Sequence, residues 1–128
     1  MLSAVIKMCE NFNCEVDELT KCLEQPFFKR KAIDLLRRHD LFLVYRCHKR
    51  HVGMDDITTT DSDSTYIGAK NTSVNLFFYY VHGVNLALPE LPCIAYKRGT
   101  KTFYYPLELI HMKSKTREEY EHRQHYSY

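Results

Sequence analysis

Cationic and aromatic side chains occur close together at two places in the sequence. Three cations lie between residues 46 and 50, and three more lie between residues 97 and 101, just before three consecutive aromatic residues. Single-stranded RNA or DNA is held by cations that follow its phosphates and by aromatic rings that stack on its bases, at about 1–3 kcal/mol per stacked base. The candidate phosphate-binding residues are Arg46, Lys49, Arg50, Lys97, Arg98 and Lys101, and the candidate stacking residues are Tyr66, Phe77, Tyr104 and Tyr105.

The charge distribution is consistent with a bound polyanion. Residues 26–53 hold eight Lys or Arg against two Asp, a net charge of +6, and residues 67–116 have a net charge of +4. Four aspartates between them give residues 54–66 a net charge of −4, so two basic regions flank an acidic segment. The alternative is that Phe77 and Tyr104 belong to the core and that the cations are ordinary turn residues.

The sequence offers no constellation for catalysis or for a metal. It contains no Gly-rich phosphate loop, no GxSxG and no HExxH. Asp55 and Asp56 are adjacent, and in a strand they would point to opposite faces. Cys47, His48 and His51 lie close together, but a structural zinc site needs a second ligand pair at a defined spacing. We therefore expect a protein that is not an enzyme and uses neither a metal nor a cofactor.

Length and composition predict a single folded domain. The chain has 128 residues, a common domain size, and its ten tyrosines and seven phenylalanines exceed what a disordered segment carries. Five cysteines without a CxxC pair favour reduced, mostly buried thiols. Lys7 and Glu10 interrupt the apolar N-terminal pattern, and nothing resembles a membrane span, so we expect a cytoplasmic or nuclear location.

Four segments have the apolar spacing of helices, at residues 2–12, 16–23, 26–38 and 73–83. Ser3 and Ser73 are candidate N-caps, and Pro26 and Gly83 are a start and a stop signal. The apolar face of the last helix is predicted to consist of Val74, Phe77, Phe78 and Val81.

Short strands are predicted between and after the helices. Residues 41–47 and 51–58 are predicted to form a hairpin with its turn at residues 48–50, followed by a loop at residues 58–64. Residues 84–89, 91–97 and 102–112 are also predicted to be strands. Several short strands with turn signals favour a small barrel, so the expected fold is α+β.

The motifs in residues 73–112 resemble those of the PAZ domain of Argonaute and Piwi proteins. SVNLFFYYVHGVNLALPELPCI followed by TFYYPLELI is similar to the Argonaute pattern tVxxYFxxxYxxxLxYPxLPCL followed by YLPLEL. Upstream, DDIT followed by TY, and VIKMCE at residues 5–10, are similar to further parts of that domain. The resemblance implies an OB-like barrel with N-terminal helices and a hairpin-and-helix appendage.

The resemblance also implies a domain layout. The PAZ-like domain would span residues 1–112, with helices at 1–38, a barrel hairpin at 40–57, the appendage at 64–83 and barrel strands at 84–112. Residues 113–128 would be a polar tail.

In the family, the cleft between barrel and appendage receives the 3′ end of a small RNA. By position, Arg50 corresponds to a phosphate-binding Arg, Arg46 to a His, and Tyr66 to a stacking Phe. Lys101, Tyr104 and Tyr105 correspond to the strand that closes the cleft. Phe77 and His82 stand where the family has two phosphate-binding tyrosines, and Val52 replaces a third residue of that set.

Two functions follow from these observations. The first is a non-catalytic module of an Argonaute-type silencing protein that binds the 3′ end of single-stranded or overhang-bearing small RNA. It would also contact protein partners of a silencing complex. The alternative is a degenerate PAZ-like scaffold that has lost 3′-end binding and holds a protein partner.

Overall fold

The computed structural model describes residues 1–67 and 71–114. Its helices are α1 (Ala4–Phe12), α2 (Val16–Glu24), α3 (Pro26–Arg37) and α4 (Val74–His82). Its strands are β1 (Leu2–Ser3), β2 (His39–Tyr45), β3 (His48–Val52), β4 (Asp56–Asp61), β5 (Tyr66–Ile67), β6 (Thr72–Ser73), β7 (Pro92–Arg98), β8 (Lys101–Pro106) and β9 (Ile110–Ser114). A 3-10 turn, Leu107–Leu109, separates β8 from β9.

The helix boundaries follow the capping signals in the sequence. The Ser73 hydroxyl accepts a hydrogen bond from the Leu76 amide at 3.1 Å, and Ser3 does the same for Ile6 at 3.4 Å. Gly83 ends α4 in the left-handed conformation, at φ 64°, which glycine adopts without steric cost. Pro26 occupies the first turn of α3, where its missing N–H is not needed. The four predicted helices are therefore confirmed.

The strands form three antiparallel sheets. One has the order β1-β9-β2-β3, the second has the order β4-β7-β8, and the third is the small β5-β6 hairpin next to α4. The α+β class is confirmed, but the described strands do not close into one barrel. The chain bends at residues 53–55 and again at the 3-10 turn, so consecutive strands pass from one sheet to another rather than pairing around a closed ring.

One hydrophobic core lies among the two larger sheets and the helices. Val81 is 59% exposed, although its spacing predicted a core position, because the buried stripe of α4 is formed by Val74 and Phe78. The largest fully buried side chains include Met8, Leu19, Leu36, Leu43, Ile57, Leu91, Ile94, Leu107, Ile110 and Met112.

The β2–β3 hairpin turns two residues earlier than the sequence predicted. Arg46 and Cys47 form the turn, and Arg46 has a positive φ of 51°. The five residue pairs from Leu41↔Val52 to Tyr45↔His48 then align across the two strands. Consequently the predicted turn residues 48–50 lie within β3, where their side chains alternate between the faces of the sheet.

Two further predictions of local structure are wrong. The predicted loop at residues 58–64 lies largely in β4, because the β-branched Thr58 joins the sheet edge and its hydroxyl accepts a bond from the Cys93 amide at 2.9 Å. The predicted strand at residues 84–89 is irregular, because the Glu108 carboxylate accepts the amides of Ala87 and Leu88 at 3.0 and 2.8 Å. Of the predicted tail, Lys113 and Ser114 belong to β9, and residues 115–128 lie outside the described residues.

The five cysteines are all free thiols and differ in burial. Cys93 is buried, Cys9, Cys14 and Cys22 are half-buried, and Cys47 is exposed in the β2–β3 turn. Burial raises the pKa of the Cys93 thiol to about 11, so this thiol stays protonated at neutral pH.

Candidate nucleic-acid interface

The register of the β2–β3 hairpin sorts the cations onto two faces. Leu43 is opposite Arg50, and Tyr45 is opposite His48, so Arg50 and His48 share the face that carries the buried Leu43. Lys49 projects from the other face, where its Nζ lies 4.9 Å from the centre of the Phe42 ring. Arg50 and Lys49 are adjacent in sequence but lie on opposite sides of the sheet.

Helix α4 brings a second set of rings against the Arg50 face. The His82 ring centre is 5.0 Å from Tyr45, 5.0 Å from Phe78 and 5.5 Å from Phe77. The Tyr45 hydroxyl lies 3.2 Å from His82 Nδ1, within hydrogen-bond distance. When the hydroxyl donates to Nδ1, the neutral imidazole carries its proton on Nε2 and can donate it to an anion.

Strand β8 supplies a third contact. The Arg50 guanidinium carbon lies 5.8 Å from the centre of the Tyr105 ring, the range of a cation–π interaction. We call the set formed by Tyr45, His48, Arg50, Phe77, His82 and Tyr105 the cleft cluster. It joins the β2–β3 hairpin, α4 and β8, which are far apart in the sequence.

The charge state of His82 follows from its surroundings. Desolvation by burial, and then the positive charge of Arg50 and the neighbouring His48, lower the pKa of His82 below its ordinary value of 6.5. The ring is therefore neutral at neutral pH. A phosphate oxygen placed beside Arg50 would bring the opposite charge to this group and favour the protonated ring.

Arg46 contacts the end of helix α4. Its guanidinium Nη2 donates to the carbonyl oxygen of Gly83, at the C-terminal end of α4, where a cation also suits the helix dipole. Together with the Tyr45–His82 contact, this bond joins two adjacent hairpin residues to two adjacent residues at the helix end. Arg46 thus fixes the position of α4 relative to the β2–β3 hairpin.

Three other predicted site residues lie outside the cleft cluster. Tyr104 projects from the opposite face of β8 to Tyr105 and lines a groove with Arg37 and Lys97. Lys101 lies at the end of the β7–β8 hairpin, opposite Arg98. Tyr66 is 55% exposed on β5, opposite Ser73, and makes no ring contact with the cleft cluster among the described residues. The cluster therefore unites Arg50, Phe77, His82 and Tyr105 from the predicted set.

Tyr45 and His48 were not predicted from the sequence. Both flank the two-residue turn at Arg46–Cys47, and their pairing puts them on the Arg50 face. If the turn had been predicted at residues 46 and 47, Tyr45 and His48 would have been predicted to lie opposite each other. Residues directly opposite on antiparallel strands share a face. Val52, which stands at a third position where the sequence departs from the family pattern, is buried in the core.

Within residues 1–67 and 71–114, no group of three or more His, Cys, Asp or Glu residues is arranged to hold a metal ion. None of the helices in those ranges is long and apolar enough to cross a membrane.

The N-terminal helices, the two antiparallel sheets and the hairpin-and-helix insertion facing them define a PAZ-like domain. The structure is similar to the PAZ domain of Drosophila Argonaute 2, with a TM-score of 0.65 and 14% sequence identity over 88% of this chain and 94% of that one. That structure concerns 3′-end recognition of nucleic acids by the Drosophila domain. A second structure of the same domain, described together with its nucleic-acid binding, gives a TM-score of 0.68 at 13% identity and covers 89% of this chain and all of that one.

Comparison at the level of sequence finds no such similarity. No protein-family model matches the chain, and no curated protein matches it significantly. The PAZ-like fold is thus established by the structure.

Proposed function

We propose that this domain binds the 3′ end of single-stranded or overhang-bearing RNA without cutting it, as part of an Argonaute-type silencing protein in the cytoplasm or nucleus. The observation that supports this proposal is the cleft cluster, in which the Arg50 guanidinium lies 5.8 Å from the Tyr105 ring centre and is near enough to His82 to lower its pKa. A guanidinium, two imidazoles and several aromatic rings converge there, and these groups recognise phosphates and unpaired bases.

Some residues of the cleft cluster would contact the phosphates of the bound RNA, and others would contact its terminal base. Arg50 is the charged donor for the terminal phosphates, with His82 Nε2 and His48 beside it. Phe77 and Tyr105 offer rings on which a terminal base could stack. The Tyr45 hydroxyl lies 3.2 Å from His82 Nδ1. It therefore supplies a phenol near Phe77 and His82, the two positions at which the family pattern has tyrosines.

A comparison of two RNA ends tests the proposal. A short RNA duplex with two-nucleotide 3′ overhangs and the same duplex with blunt ends are titrated with the domain at two salt concentrations. We expect the overhang-bearing RNA to bind more tightly, with an affinity that falls as salt rises because phosphates are neutralised. Equal affinity for the two duplexes, or no binding of either, would contradict recognition of the 3′ end.

The pKa of His82 predicts a pH dependence of this binding. Because the pKa of His82 is lowered from its ordinary value, the ring is neutral at pH 7 and becomes cationic only as the pH falls through that lowered pKa, when it gains a charge-assisted bond to phosphate. We expect the affinity for overhang-bearing RNA to rise by about tenfold at full protonation, the lower end of the roughly 1.5–3 kcal/mol for a bond to a charged group, because the neutral ring already donates a hydrogen bond. Titrations between pH 7.5 and pH 5.5 measure this change. In His82→Gln the rise below pH 6.5 should shrink, and an unchanged pH profile would show that His82 does not contact the phosphate.

A second candidate function is a scaffold that holds a protein partner. It is favoured by the outer surface of α4, a helix without Lys, Arg, Asp or Glu in which Tyr80 is 76% exposed and Leu76, Tyr79 and Val81 are also exposed. Purification of the domain from cells with a stoichiometric protein and no RNA would support this alternative. Loss of that protein in Tyr80→Ala, but not in Arg50→Ala, would place the contact on α4.

A further inference from the structure

The β7–β8 hairpin presents a continuous row of aromatic and cationic side chains that begins at the cleft cluster. Ile94 pairs with Tyr105, Tyr96 with Phe103, and Arg98 with Lys101. Directly opposed residues share a face, and alternate residues along a strand do too, so all three pairs project from one side. The row starts at Tyr105 beneath Arg50 and ends with two cations at the hairpin turn.

The members of this row are available to a ligand to different extents. Phe103 is 40% exposed, an unusual position for a phenylalanine on a strand, and Arg98 and Lys101 are exposed. Tyr96 is half-buried, and its ring packs closely against Gly53. A Cβ atom at position 53 would lie 2.5 Å from the Tyr96 ring. Across residues 1–67 and 71–114, neither Arg98 nor Lys101 takes part in an ion pair.

The opposite face of the same hairpin is chemically different. Lys97, Thr102 and Tyr104 line a groove of about 840 Å³ together with Asp34, Asp55 and Asp56. The Asp55 carboxylate accepts the Lys97 amide at 2.6 Å. Three carboxylates offset the cations of this groove, so it is less suited to a polyanion than the face of Phe103 and Arg98.

We infer that the row of Tyr96, Arg98, Lys101, Phe103 and Tyr105, here called the hairpin track, binds the unpaired nucleotides that precede the 3′-terminal one. This inference rests on the proposed function, because the track begins where the terminal nucleotide would lie. Two observations identify single-stranded RNA as its ligand. Arg98 and Lys101, which form no ion pair within residues 1–67 and 71–114, complement phosphates, and the exposed Phe103 ring next to Tyr96 offers a stacking surface for a base. Successive positions on the track are about 6.6 Å apart, so each pair of side chains serves one extended nucleotide.

RNA tails of different length distinguish binding at the hairpin track from binding at the cleft cluster. Fluorescence anisotropy is measured with RNA duplexes that carry a 3′ single-stranded tail of one or of six uridines, because a single unpaired nucleotide would occupy the cleft cluster alone. The wild-type domain should bind the six-nucleotide tail more tightly. Phe103→Ala should weaken binding of the six-nucleotide tail by at least about fivefold, the loss of one stacked base, and should leave the one-nucleotide tail unchanged.

Matched variants on the two faces of the hairpin serve as controls. Arg98→Ala should make the salt dependence for the six-nucleotide tail less steep by about 0.7 in the log–log slope, the value for one phosphate on a single strand. Lys97→Ala and Tyr104→Ala remove the same kinds of side chain from the opposite face and should leave that slope and the effect of tail length unchanged. Because Phe103, Arg98 and Lys97 are exposed, circular dichroism and the melting temperature should match the wild type.

The possible outcomes distinguish the two proposals. If the wild type binds the one-nucleotide tail but Phe103→Ala and Arg98→Ala behave like the wild type with six nucleotides, the hairpin track is wrong and 3′-end binding stands. Equal losses of affinity for the six-nucleotide tail in the variants of the two hairpin faces would also contradict binding at the hairpin track. If the wild type binds neither tail, the proposed function itself fails.

Discussion

Replacing Arg50 by alanine is expected to weaken binding of overhang-bearing RNA by about 10- to 150-fold. A hydrogen bond to a charged group contributes about 1.5–3 kcal/mol, and Arg50 is the cation that lies within the cleft cluster, against Tyr105 and beside His82. The effect should be large because a guanidinium can contact a phosphate through two parallel N–H donors, which no neighbouring imidazole can replace. Equilibrium titration at fixed salt and pH 7.5 measures the loss.

Lys49→Ala is the matched control for this prediction. Lys49 is the adjacent residue on the same strand and is also a cation, but it lies over Phe42 on the other face of the sheet. Its removal changes the net charge by the same amount, so any general electrostatic effect on RNA binding should be equal in the two variants. A loss in Lys49→Ala as large as that in Arg50→Ala would show that the cations act through overall charge and not through the cleft.

Replacing Phe78 by alanine is expected to destabilise the domain by about 3–5 kcal/mol, the usual cost of removing a buried phenylalanine ring. Phe78 is 2% exposed and anchors α4 to the core, and its ring also contacts those of Tyr45 and His82 at centre distances of 6.1 and 5.0 Å. The mutation should therefore loosen the wall of the cleft as well as the core. Urea unfolding followed by circular dichroism measures the change in the free energy of unfolding.

Val81→Ala on the same helix supplies the comparison. The spacing of apolar residues assigned Val81 and Phe78 to one buried face, yet Val81 is 59% exposed. Its replacement should change the free energy of unfolding by no more than about 0.5 kcal/mol. Similar destabilisation in both variants would mean that α4 is rotated relative to its position in this structure.

The cleft cluster depends on contacts between residues far apart in the chain. Tyr45 meets His82, and Arg46 meets Gly83, across 37 residues in each case. These two contacts hold the end of α4 against the β2–β3 hairpin. The Tyr45 phenol therefore lies beside His82, although the two residues belong to different elements.

The sequence by itself determined the local elements. Serine caps, a helix-starting proline and a glycine stop act over a few residues, so the starts of α1, α3 and α4 and the end of α4 could be read directly from their residue types. The resemblance to the PAZ family also predicted the PAZ-like fold and four members of the cleft cluster, Arg50, Phe77, His82 and Tyr105.

Only the tertiary structure decided which of the candidate side chains act together. Lys49 and Arg50 look equivalent in the sequence, as do Tyr104 and Tyr105, but each pair is divided between two faces of a strand. Which member faces the cleft depends on strand register, and the register is set by pairing with a distant strand and by the buried residues that this pairing places in the core. For the same reason the sequence did not predict Tyr45 and His48, whose position depends on a turn fixed by all five residue pairs of the hairpin.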